Sequence, residues 1–129
     1  MGTAGARFTK DVGPMAEQIV AAINDRDVDR LRLICHFPLI QIAGIELISL
    51  DTPADLTIPD DGVTTTISRI EPLTPQAGDK VVVDIDIRRF SADRRELEPE
   101  GAICLVTREA GEHWGLQFSS SRAGLSGLV

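Results

Sequence analysis

The chain has 129 residues, enough for one hydrophobic core and too few for two ordinary domains. With 43% apolar and 26% charged residues, it has the composition of a globular protein rather than a disordered one. A formal net charge of −7 argues against two classes of partner, the phosphate backbone of nucleic acid and anionic membrane surfaces.

Met1 to Lys10 is small and polar apart from Phe8 and reads as a loosely held arm. It lacks the apolar core of a signal peptide, and no segment is apolar for long enough to span a membrane, so a cytoplasmic protein is expected. Asp11-Val12-Gly13-Pro14 has the chemistry of a helix start, with proline in the first turn. From there Met15, Ile19, Val20 and Ile23 recur at helical spacing and predict an amphipathic helix to about Asn24. Asp27 then caps a second, shorter helix whose apolar side is Val28, Leu31 and Ile34. Pro38 removes a backbone donor and disfavours helical geometry at Phe37, so that helix must end before it.

The remainder reads mainly as strands. Leu39 to Ile42 and Ile45 to Leu50 flank Ala43-Gly44 as a hairpin, and Asp51 to Leu56 forms one short helix. Val63 to Leu73 is rich in Thr and Ile and leads through Pro75-Gln76-Ala77-Gly78 into Lys80 to Phe90. There the alternation is strict, with Val81, Val83, Ile85 and Ile87 on one face and Asp84, Asp86 and Arg88 on the other. Ser91 to Gly101 is a polar connection, Ala102 to Arg108 the next strand, and Glu109 to Glu112 a tight turn. His113 to Ser121 closes the sheet, with Trp114, Leu116 and Phe118 facing one way and Gln117, Ser119 and Ser121 the other. Arg122 to Val129 is a tail. Helices first and a strand meander after them make an α+β fold, one helical layer covering one face of a curved antiparallel sheet.

Four stretches in this order carry a family resemblance: Ala21-Ala22-Ile23-Asn24-Asp25-Arg26-Asp27; His36-Phe37-Pro38-Leu39-Ile40-Gln41-Ile42; Val82 to Arg89; and Val106-Thr107-Arg108-Glu109 followed by Trp114-Gly115-Leu116-Gln117. Over about residues 12 to 123 the chain resembles SnoaL-like proteins of the nuclear transport factor 2-like superfamily. The resemblance implies a cystatin-like α+β cone or barrel, a sheet wrapped around the N-terminal helices and enclosing a pocket. It also implies a homodimer built on the outer sheet face. The activities it brings are cofactor-free isomerisation, cyclisation, dehydration and hydrolysis, beside non-catalytic binding members. The chain departs from the pattern in having no Tyr, so the tyrosine donor of the ketosteroid isomerases has no counterpart. Nor does an Asp-Arg-Asp set match that of the limonene epoxide hydrolases, since Asp84, Asp86 and Arg88 all lie on one strand.

Few side chains offer chemistry. His36, at the mouth of the first strand, is either a base or donor in the pocket or a structural residue at the helix–sheet corner. Asp86, with Asp84 beside it, is the best carboxylate partner for it, although the alternation puts both on the outer face. There they would face solvent or the arginines of a second copy. Trp114 and Cys104 are pocket-lining candidates whose other reading is plain core packing. Cys35 and Cys104 are expected as buried reduced thiols, and no Cys/His spacing suggests a metal. The expected function is binding of a small apolar molecule, with any catalysis a cofactor-free proton transfer or hydration. The rival is a non-catalytic dimeric scaffold whose cavity is filled by its own side chains.

Overall fold

Helix α1 spans Gly13–Asn24 with Pro14 in its first turn, and it buries Met15, Ala16, Ile19, Val20 and Ala22. The computed structural model describes residues 12–74, 78–109 and 113–121. The expected arm, the tail and the centres of the turns at 75–77 and 110–112 lie outside the described residues. Arg26 takes a left-handed conformation (φ 55°) after α1. Its guanidinium donates to the carbonyls of Ile23 (2.6 Å) and Val63 (2.8 Å), tying the interhelical turn to the sheet. Asp27 caps α2, Val28–Ile34, by accepting from the Arg30 N–H at 3.2 Å. The chain turns extended at Cys35, and a cis Phe37–Pro38 bond leads into the sheet.

The strands are β1 (Leu39–Ala43), β2 (Glu46–Leu50), β3 (Thr64–Pro72), β4 (Lys80–Phe90), β5 (Glu100–Thr107) and β6 (Gly115–Ser121). A single 3-10 turn at Pro53–Asp55 stands where a short helix was expected. The six strands lie in the order β2-β1-β6-β5-β4-β3. All neighbours are antiparallel except β1 and β6, which pair parallel with Gln41 opposite Ser119. The sheet is therefore mixed, and the expectation of an all-antiparallel one does not hold.

Nor does the expected cone or barrel form. The sheet is open and not strongly curled: β2 and β3 are its two edges, at opposite ends of the order, and among the described residues no ladder joins them. Closure needs edge strands that meet in register. Here four strands separate them, and the helices pack against the inner face instead. Val81, Val83, Ile85 and Ile87 point to that inner face, each at most 4% exposed, and pack with α1, α2 and Leu116 in one continuous core. Each such side chain contributes about 2 kcal/mol of transfer free energy.

Two β-bulges decide which residues face inward. In β3 the extra residue is Ser68, so Ile67 and Ile70 both face the core while Arg69 lies opposite Asp86 on the outer face. In β6 the extra residue is Gln117: Val106 pairs with Leu116, but Leu105 pairs with Phe118. One inserted residue inverts every later side chain. Phe118 therefore turns outward opposite Leu105, and Ser119 turns inward opposite Cys104 at 1% exposure. The expected grouping of Phe118 with Trp114 and Leu116, and of Ser119 with Gln117, is corrected accordingly.

Candidate functional site

The corner where α2 enters β1 lies against the end of β5 and the start of β6. Gly115 permits the close approach, because a Cβ there would stand 2.3 Å from the Ile34 carbonyl oxygen and 2.8 Å from His36 Nε2. The His36 N–H donates to the Leu116 carbonyl at 2.8 Å, which fixes the histidine backbone to β6. Its ring reaches Thr107, with Nδ1 2.9 Å from the hydroxyl oxygen. The Thr107 hydroxyl in turn lies 2.8 Å from Gln117 Oε1, and Gln117 Nε2 lies 3.3 Å from the Pro38 carbonyl.

The direction of this chain follows from its last member. A carbonyl oxygen only accepts, so Gln117 must present its NH2 to Pro38 and its oxygen to Thr107. The Thr107 hydroxyl has one proton and gives it to that oxygen, so it accepts from His36, whose Nδ1 carries hydrogen. In the neutral imidazole the lone pair is then on Nε2. That nitrogen is buried, and the ring of exposed His113 stands 4.9 Å from the His36 ring, centroid to centroid.

Beside this corner opens a cleft of about 360 Å3, bordered by His36, Phe37, Lys80, Thr107, Arg108 and Glu109. Asp79 also lines it and accepts from Arg108 at 3.2 Å. The Arg108 guanidinium lies 4.9 Å from the Trp114 ring centroid, a cation–π contact over a tryptophan that is 6% exposed. The Trp114 indole N–H makes no hydrogen bond among the described residues.

The other sequence candidates lie elsewhere. Asp84 and Asp86 are on the outer face, held by Arg69 at 2.7 and 2.6 Å, and Asp86 lines a separate cleft with Ser68 and Gly101. Arg88 pairs with Glu96 rather than with either aspartate (2.6 Å). Each guanidinium is held further in its charged form by its acidic partner, chiefly by hydrogen bonding. Cys104 is fully buried on the inner face, its sulfur 3.9 Å from the Ser119 hydroxyl, and burial pushes its thiol up to about 12. Burial does the same to Cys35, and neither sulfur forms a disulfide. Both are poor nucleophiles. Thus His36 and Trp114 flank one corner, whereas Asp86 and Cys104 are remote from it on opposite faces of the sheet.

Sequence reasoning missed Thr107 and Gln117, which orient His36, and the ion pair of Arg89 with Glu100. The pair was detectable: the strict alternation of β4 puts Arg89 on the same face as Ile87. Among the described residues no cluster of three or more His, Cys, Asp or Glu side chains is placed to hold a metal ion. No described helix is long and apolar enough to cross a membrane.

No family model matches the chain, and no curated protein matches it in sequence. Solved structures do match in shape. An NTF2-like protein of unknown function from Pseudomonas putida is 14% identical, with 85% of this chain and 82% of that one covered at a TM-score of 0.66. A proposed scytalone dehydratase from Novosphingobium aromaticivorans is 7% identical, with 95% and 87% covered and a TM-score of 0.71. A proposed ketosteroid isomerase from Shewanella frigidimarina is 14% identical, with 84% and 92% covered and a TM-score of 0.66. At such identities the likeness is one of fold alone, shared with the NTF2-like protein from Pseudomonas putida and with the other two.

Proposed function

We propose that the chain binds a small carbonyl- or hydroxyl-bearing molecule at the His36 corner and carries out cofactor-free acid–base chemistry on it, as an isomerase, cyclase, dehydratase or hydrolase. The observation that supports this is the hydrogen-bond chain from Pro38 through Gln117 and Thr107, which presets the His36 tautomer and leaves Nε2 as the proton acceptor. Nε2 is buried, so a substrate reaches it on local opening of the corner, and the neighbouring cleft of about 360 Å3 suits a small molecule. Lys80 and Arg108 border that cleft and supply positive charge for an oxygen that becomes negative during proton abstraction. The carboxylates available there are Asp79 and Glu109, while Asp86 serves the outer-face ion cluster. The SnoaL-like resemblance of the motifs points to the same reaction classes, and both reduced thiols suit a cytoplasmic setting.

The test is hydrogen–deuterium exchange at the α-carbon of a panel of cyclic ketones in D2O, followed by NMR. Exchange above the buffer rate is expected, reduced on the order of 100-fold in His36→Gln and unchanged in Asp86→Asn. Equal rates for wild type and His36→Gln, or no exchange with any ketone, reject the catalytic reading.

A second reading, a non-catalytic dimeric scaffold, is favoured by a different observation. The inner face is packed continuously by the helices, and half-buried Ile40, Val82, Ile103, Leu105 and Phe118 form an apolar stripe across the outer face. The Arg69 cluster with Asp84 and Asp86 flanks that stripe. A two-fold partner placing the same stripe against it would bury it. In light scattering at micromolar concentration, a mass of one chain rejects the dimer under either reading.

A further inference from the structure

Another cleft, of about 490 Å3, is bordered by Gly62, Thr64, Phe90, Ser91, Ala92 and Arg94. Thr64, the first residue of β3, lies opposite Phe90, the last of β4. Because Thr65 is buried on the inner face, both belong to the outer one. The turns that continue from these two ends touch: Gly62 is left-handed (φ 72°), and a Cβ there would stand 3.0 Å from that of Ala92. Each turn is pinned. Arg26 holds the first through Asp61 and the Val63 carbonyl, at 3.1 and 2.8 Å. In the second, the Arg94 N–H donates to the Ser91 carbonyl and the Ser91 N–H to the Arg95 carbonyl, each at 2.9 Å. The cleft is therefore preformed, and a ligand entering it orders little of the chain.

The charge bordering it is unbalanced. Every described arginine except Arg94 and its neighbour Arg95 has a carboxylate oxygen within 4.0 Å. Arg94 is exposed at the cleft with no such partner among the described residues, in a chain of net charge −7. The acids nearest in the two turns are engaged elsewhere. Asp61 accepts from Arg26 and from the Val63 N–H, and Asp93 accepts from the Ser91 hydroxyl and the Arg95 N–H. Asp60 does not border the cleft. Arg94 also holds a left-handed backbone (φ 65°), which suits glycine or asparagine better than arginine. The turn therefore has no use for the guanidinium. Two uncharged groups border the cleft with it. The Thr64 hydroxyl makes no hydrogen bond among the described residues, and the half-buried Phe90 ring has Arg88 5.4 Å from its centroid, outside the cleft.

We propose that this cleft is a second binding site, for a small aromatic monocarboxylate. The ligand carboxylate accepts from the Arg94 guanidinium and from the Thr64 hydroxyl, and its ring packs on Phe90. A single negative charge matches one unopposed guanidinium, whereas the net charge of −7 disfavours a dianion. The volume of about 490 Å3 is that of a small-molecule site. The cleft lies at the opposite end of β4 from Lys80, which borders the His36 corner, so the two sites are separable by experiment.

The experiment titrates the 15N-labelled full chain at low salt with benzoate and, separately, with benzamide, which keeps the ring and lacks the charge. For so small a ligand, benzoate dissociation on the order of 1 mM is expected. Saturable shifts should centre on the amides of Gly62, Thr64, Ala92 and Arg94. Benzamide should bind about tenfold more weakly than benzoate, and Arg94→Gly should weaken benzoate about tenfold, as loss of a charged hydrogen bond does. Glycine accepts the left-handed backbone, so that variant keeps the fold. Phe90→Leu should weaken benzoate severalfold, and His36→Gln should leave it unchanged. Equal binding of benzamide and benzoate, or unchanged affinity in Arg94→Gly or in Phe90→Leu, overturns the proposal. Shifts centred on His36 and Thr107, or no saturable shift, also overturn it. None of these outcomes depends on whether His36 is catalytic.

Discussion

Gly115→Ala should be among the most damaging single-methyl additions in the protein. The new Cβ would stand 2.3 Å from the Ile34 carbonyl oxygen, 2.8 Å from His36 Nε2 and 2.9 Å from His36 Cδ2. The imidazole can rotate away, but the carbonyl belongs to the last residue of α2 and cannot move without shifting the helix. Overpacking of this kind costs about 1–3 kcal/mol, and a rigid backbone contact puts it at the upper end. Displacing the corner also strains the bond from the His36 N–H to the Leu116 carbonyl, adding a further fraction of about 1 kcal/mol. A total near 3 kcal/mol, against an unfolding entropy of about 2.1 cal/mol/K per residue over 129 residues, lowers Tm by about 11 °C. Urea unfolding followed by Trp114 fluorescence measures the loss directly, with the slope m unchanged. In a His36→Ala background most of the penalty should persist, because the Ile34 oxygen is untouched. A stability change below about 0.5 kcal/mol, or full rescue by His36→Ala, refutes the assignment of the clash to the helix backbone.

Asn24 spans the backbone of Thr65, donating to its carbonyl and accepting from its N–H at 2.8 Å each, so Asn24→Ala should cost about 2–3 kcal/mol in urea unfolding; Asn24→Asp keeps the acceptor and should cost less. The thiols of Cys35 and Cys104 hold their protons to about 12 when folded, against an ordinary 9.0, so between those values the unfolded chain binds fewer protons. Their contribution is complete below pH 9 and is lost as pH rises toward 12, at about 1.4 kcal/mol per pH unit for each thiol. Cys104→Ala should remove about half of that slope, and an unchanged slope contradicts the burial argument. Finally, long-range 1H–15N NMR should find neutral His36 protonated at Nδ1, and Thr107→Val should shift it toward the other tautomer; Nε2–H in the wild type contradicts the hydrogen-bond direction argued from Pro38.

The fold was legible wherever one periodicity ran uninterrupted. The helical spacing of Met15, Ile19 and Val20 and the alternation of Val81 to Ile87 both reappear as buried faces. Strand order was not legible, because nothing local signals that β1 pairs parallel with β6, some eighty residues away in the chain. The open sheet was missed for the same reason, since closure depends on which edges meet. At the site, His36 was visible as a histidine beside Pro38, but its partners Thr107 and Gln117 read as ordinary strand residues. Gln117 becomes a partner only because β6 bulges there, and a bulge has no fixed residue signature.

That bulge connects the corner to the far end of the inner face. Without an extra residue, β6 would keep Phe118 on the side of Leu116, against Cys104, and turn Ser119 out toward solvent. With it, Gln117 is free to bridge Thr107 and the Pro38 carbonyl, while Ser119 and Ser121 are delivered to the face that holds Glu100. The aromatic ring turned outward instead joins Leu105 and Ile40 in the apolar stripe. Orientation of His36, the inward turn of Ser119 and Ser121 and the outer-face stripe are thus three consequences of one inserted residue. They stand or fall on the register of β6, which the pairing of Val106 with Leu116 and Leu105 with Phe118 defines.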